Sequence, residues 1–135
     1  MKKICLILLV SAFATTSFSQ QLAVVNFLSP TVATPQFLWL VTTYDFGKIK
    51  ANNPVNHEFR FTNSGNAPLV ISSVQASCGC TVTDYSKEPI APGSEGYVKA
   101  TYNAAKVGVF SKTVTVNANA EESVVQLTIK GEVVE

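Results

Sequence analysis

From about residue 37 the chain alternates apolar and polar side chains with a period of two, and clusters of Gly, Pro and Asn cut that alternation into short runs. No stretch of a dozen residues keeps helical spacing. The pattern predicts strands near 37–44, 55–63, 68–75, 78–84, 95–102, 109–118 and 123–134. The second is the clearest: Val55, His57, Phe59 and Phe61 share one face while Asn56, Glu58, Arg60 and Thr62 take the other, as a strand with one dry and one wet side requires. Seven short strands at this spacing predict an all-β fold, a seven-stranded immunoglobulin-like β-sandwich.

The punctuation supports this reading. Asn63-Ser64-Gly65-Asn66 before Pro68, and Ala91-Pro92-Gly93, combine a proline that presets a turn angle with residues that tolerate positive φ. Gly131 interrupts the apolar alternation of Val125, Leu127, Ile129 and Val133, which predicts a bulge in the last strand. Leu69 and Ile71 have the opposite parity to Val74 and Ala76, so the inward register must shift near Ser72-Ser73. Trp39 is the candidate for the largest inter-sheet plug, and Glu121-Glu122 reads as a solvated hairpin tip.

The amino end changes the picture. Met1-Lys2-Lys3, an apolar run of about eleven residues from Ile4 to Ala14, and then Thr15 to Ser19 have the layout of a secretory signal peptide cleaved after Ser19. The run is short of the roughly twenty residues a spanning helix needs, and Cys5 opens it instead of closing it, which argues against lipid attachment. The expected organisation is a signal peptide over 1–19, a leader segment over 20–36 interrupted by Pro30 and Pro35, and the sandwich domain over 37–135. The expected location is outside the cytoplasm, in the periplasm or at the cell surface, with no membrane span after signal removal.

Of ten basic and nine acidic residues, Lys2 and Lys3 leave with the signal, so the exported chain carries a formal charge of −1. Such a balance supplies no basic patch for nucleic acid. No phosphate loop, serine triad or carboxylate pair at useful spacing is present, and no enzymatic activity is expected.

The candidate chemistry is in "ASCGCTV", residues 76–82. In an extended segment Val74, Ala76, Cys78, Cys80 and Val82 share a face, so both sulfurs would point inward. Four readings compete. A Cys78–Cys80 disulfide closes a loop of three residues and constrains the unfolded chain by only about 1.6 kcal/mol. Dithiol chemistry asks for a cation or helix end to lower a thiol pKa, and the nearest cation in sequence is Lys87. A metal site could use Cys78, Cys80 and His57, the single histidine, with copper or zinc as the ion. The plainest reading makes both cysteines core-facing, as a small local bridge or as buried thiols, and His57 a neutral ring on an apolar face.

The segments "YDFGKI" (44–49), "HEFRFTNSGNAPLVI" (57–71), "SCGCTV" (77–82), "PIAPG" (89–93), "GVFSKTVTV" (108–116) and "LTIKGEV" (127–133) resemble, in serial order, the exported bacterial family called domain of unknown function 1573. That family is similar to immunoglobulin-like domains of the major sperm protein and ASH type. The resemblance implies a seven-stranded sandwich, carries the cysteine pair onto Cys78 and Cys80, and places His57 at the family's strand position. Those domains act as interaction modules without catalysis, and the resemblance itself gives no established activity; the absence of any catalytic constellation on a complete sandwich makes the expected role an exported module that binds or scaffolds another envelope protein. After Ile49 the chain departs from the family pattern, with "KANNPVN" where glycine and acidic residues are expected.

Overall fold

The computed structural model describes residues 32–135. The expected signal peptide, Cys5 and most of the expected leader segment lie outside the described residues. Eight strands follow in chain order: β1 (Phe37–Trp39), β2 (Thr43–Lys50), β3 (Val55–Asn63), β4 (Ile71–Ala76), β5 (Thr81–Tyr85), β6 (Glu95–Tyr102), β7 (Gly108–Ala118) and β8 (Val124–Val134). They form two four-stranded sheets, in the orders β1-β3-β6-β5 and β2-β8-β7-β4. Every pairing is antiparallel except β2 on β8. The immunoglobulin-like sandwich is therefore present, and no helix occurs among the described residues.

The expected first strand is two strands. Phe37–Trp39 pairs with β3, and Leu40 still donates its N–H to the Arg60 carbonyl. By Thr42, whose carbonyl accepts from the Thr128 N–H, the chain has crossed to the other sheet. Eight strands replace seven because one continuous apolar run serves both layers.

The core is the sum of the inward parities. Phe59, Phe61, Val98, Ala100 and Tyr102 from the first sheet face Val114, Val116, Val125, Leu127, Ile129 and Val133 from the second, all buried. Leu69 and Ile90 exchange backbone hydrogen bonds at 2.8 and 2.9 Å and join this core from the connecting segments. Trp39 does not plug the middle. It is half-buried, stacked on Phe37 with centroids 4.9 Å apart and tilted against Phe61 at 4.8 Å.

Two irregularities shape the edges. The register between β4 and β7 shifts between Ile71 and Ser73, where the parity change requires it. The bulge expected in β8 lies in β2 instead: β8 keeps an unbroken register with β7, while its pairing with β2 shifts between Asp45 and Lys48. Gly47 at that shift has φ +67° and its N–H is held by the Asp45 carboxylate at 2.8 Å. Gly131 is a glycine because a Cβ there would meet the Gly47 carbonyl oxygen at 2.8 Å and the Phe110 ring at 2.9 Å. After Ile49 the departing segment turns through Asn52, whose φ of +59° takes the left-handed conformation a glycine would otherwise supply.

Candidate functional site

The cysteine pair sits where the chain crosses from β4 in one sheet to β5 in the other, at residues 77–80. This segment is a turn and not the start of a strand. The Ser77 N–H bonds the Thr113 carbonyl at 2.8 Å, the Thr113 N–H returns to the Ser77 hydroxyl at 3.2 Å, and the Asn103 N–H bonds the Cys80 carbonyl at 3.0 Å. Within the turn the two sulfurs are joined, over a Cα–Cα distance of 5.4 Å. That separation is shorter than two residues of extended chain would span, which is why the segment leaves the strand.

The crossing also resets parity. Thr81 is buried and Val82 is exposed, the reverse of the expected face, because β5 belongs to the opposite layer. Cys78 and Cys80 are each half-buried, and Cys80 packs against the core. The Thr81 hydroxyl lies 4.0 Å from the Cys78 sulfur. Gly79 at the tip is exposed, and no neighbouring heavy atom comes within 4 Å of where its Cβ would stand.

His57 is elsewhere. It pairs across from Ala100 on β6, which in turn faces Thr83 on β5, so a whole strand separates its backbone from that of β5. Its ring stacks on Tyr44 from the other sheet, with centroids 3.8 Å apart and planes 8° from parallel, and meets the Phe59 edge at 4.7 Å. Nε2 is buried with no hydrogen-bond partner. Burial pushes the imidazole below its ordinary pKa, with neighbouring Glu58 opposing. The metal set Cys78, Cys80 and His57 is therefore not assembled. Among the described residues no three His, Cys, Asp or Glu side chains group to hold an ion.

A second surface was not legible from parity alone. Along the edge where the chain passes from β1 to β2, Leu38 is 59% exposed, Leu40 74% and Val41 45%. Broad outer surfaces have a different character. On the first sheet Arg60 bridges Glu58 at 2.7 Å and Glu95 at 3.8 Å, the strand register stands Lys99 between Glu58 and Asp84, and the Tyr97 hydroxyl donates to Asp84 at 3.2 Å. That face is a solvated charge lattice, whereas the edge is apolar.

Asn63 is the residue that sequence reasoning took only for a turn former. It is fully buried; its amide donates to the carbonyls of Ala67 and Ile90 at 2.7 and 2.9 Å, and its side-chain oxygen accepts from the Gln36 and Gly65 N–H groups at 3.2 and 3.0 Å. Glu121 is exposed at the hairpin tip, as expected, and is tethered as well. Its N–H bonds the Pro35 carbonyl at 2.9 Å and its carboxylate accepts from the Gln36 side chain. These contacts fasten residues 34–36 beside the β1 edge.

Residues 37–133 match the model of a family described as protein of unknown function (DUF1573). No curated protein matches the chain. Among solved structures, the chain is similar to a protein of unknown function from Porphyromonas gingivalis W83, with TM-score 0.67 and 18% identity over 79% of this chain and 51% of that one. It thus spans about half the length of that protein. It is also similar to the ASH / PapD-like domain of human CEP192 (PapD-like domain 7), with TM-score 0.63 and 7% identity over 76% of this chain and 87% of that one. The secreted serine protease VesC from Vibrio cholerae is similar at TM-score 0.57 and 14% identity, over 73% of this chain and 23% of that one. Such identities make the likeness one of fold alone.

Proposed function

Since the chain belongs to the DUF1573 family, whose match runs through both sheets, we propose that it is an exported, non-enzymatic immunoglobulin-like module that binds or scaffolds another protein at the cell envelope. The observation that carries this reading is the exposed apolar run of Leu38, Leu40 and Val41 along an open sandwich edge. An edge of this kind leaves backbone donors and acceptors free to pair with a partner strand. Each exposed leucine that a partner covers fully contributes roughly 1.5–3 kcal/mol. The neighbouring 34–36 segment is pinned by Asn63, Asn66 and Glu121, so the edge is held in place before a partner arrives. Export is supported by the signal-like amino end, and among the described residues no helix is long and apolar enough to cross a membrane.

The test is co-purification of the exported chain with envelope proteins. Leu40→Asp should lose its partner by tenfold or more, which is about 1.4 kcal/mol, while Gln126→Asp on the opposite sheet should retain it. Equal retention by both variants contradicts the reading.

A further inference from the structure

We propose that the Cys78–Cys80 bridge is a redox-active site that accepts two electrons from a protein dithiol, with Lys112 as the positioning residue that holds Cys78 as a thiolate once the bridge has opened. This goes beyond the binding function and does not depend on it.

The bridge is a poor structural staple. It encloses three residues, so it constrains the unfolded chain little. The turn has other fastenings: Ser77 to Thr113, Asn103 to Cys80, and the Thr81 N–H to the Cys78 carbonyl at 3.4 Å. Opening the disulfide therefore leaves both thiols presented on the same turn. A bond that adds little stability to the fold, in a turn with other fastenings, suits a disulfide that opens by exchange with a thiol.

The missing cation is supplied by the fold. Ala76 on β4 stands opposite Val114 on β7. The Ser77–Thr113 hydrogen bond extends that pairing by one residue, which brings Lys112, the neighbour of Thr113 on β7, to the mouth of the 77–80 turn. Alternation along β7 puts Lys112 on the same side as the buried Phe110, Val114 and Val116. A lysine in this position favours the charged form of a neighbouring thiol, and the nearby Thr81 hydroxyl can donate to the same sulfur. Other ionisable groups around the turn are Tyr102, paired with Thr81, and Lys106 in the loop after β6.

The electron count closes without a further reagent. A partner thiolate attacks Cys78 Sγ, the sulfur not packed on the core; the Cys78–Cys80 bond breaks, and Cys80 leaves and takes up a proton. The partner's second thiol loses its proton and attacks its own sulfur in the mixed disulfide, and Cys78 departs as the thiolate beside Lys112. The partner dithiol is oxidised to a disulfide and the domain disulfide is reduced to a thiol and a thiolate.

Two measurements test this on the exported chain. Excess reduced glutathione should open the bridge of the folded wild-type protein, read by mass after alkylation; a bridge that stays closed overturns the proposal. In Cys80→Ser, the iodoacetamide rate at the Cys78 peptide should reach half its maximum at least one pH unit below the ordinary cysteine value of about 8.5. Adding Lys112→Met should move that midpoint upward, and Lys112→Arg should keep it low. A midpoint at the ordinary value, or one indifferent to Lys112→Met, overturns the assignment. The glutathione measurement needs no substitution and decides the matter if the variants do not fold.

Discussion

The buried side-chain amide of Asn63 donates to the carbonyl oxygen of Ile90 at 2.9 Å, tying the end of β3 to the segment that leads into β6. The same side chain reaches Gln36, Gly65 and Ala67, so four separate backbone groups depend on one amide. Replacing it takes this partner from the Gln36 and Gly65 N–H groups and the Ala67 carbonyl, and leaves the Ile90 carbonyl with its bond from Leu69 alone. Asn63→Ala should cost about 1–3 kcal/mol, the range for unsatisfied buried polar groups. Asn63→Asp should cost at least as much, since a carboxylate faces two carbonyls it cannot donate to. The urea midpoint should fall with unchanged slope.

The glycines separate into those with room and those without. Gly131→Ala drives a methyl into the Gly47 carbonyl and the Phe110 ring, and should cost about 1–3 kcal/mol as overpacking does. Gly79→Ala meets nothing within 4 Å at the open turn and should change stability by no more than about 0.5 kcal/mol. Thermal unfolding of the two variants side by side checks the contrast.

How much of this could be read from the sequence depended on where each residue's reason lay. Val55, His57, Phe59 and Phe61 were legible because one face of β3 is packed and the other wet, and the shift at Ser72-Ser73 followed from parity alone. The crossing between β1 and β2 was not, because Leu38 to Val41 is continuously apolar and carries no Gly or Pro to mark the change of sheet. Gly131 signalled an irregularity but not its owner, since the bulge it accommodates belongs to β2. Cys78 and Cys80 were found, yet Lys112 was not. Thirty-odd residues separate it from Cys78 in the chain, and only the β4–β7 pairing with the Ser77–Thr113 hydrogen bond brings it to the turn. Asn63 looked like an ordinary turn residue because its partners Gln36 and Ile90 are remote in sequence.

His57 makes stability depend on pH. Its folded-state pKa is lowered by burial from the ordinary 6.5, against an opposing pull from Glu58. The unfolded chain therefore binds the proton more readily than the folded one. This contribution is intact above about pH 6.5 and is lost as the pH falls from there toward the depressed folded value. Charging the ring also places a donor at Nε2 where no acceptor waits. Urea midpoints between pH 7.5 and pH 5 should decline for the wild type, and His57→Phe, which keeps a ring against Tyr44, should remove that part of the decline.

The central claim is that the β1 edge seats an envelope protein. A photo-crosslinking side chain placed in turn at Leu38, Leu40 and Val41, and at the exposed Gln75 and Ser111 on β4 and β7, tests it most directly in the cell that makes the protein. The account predicts one adduct of defined mass from the edge positions and none from the control positions. Adducts of equal yield at all five positions, or none at the edge, would contradict it.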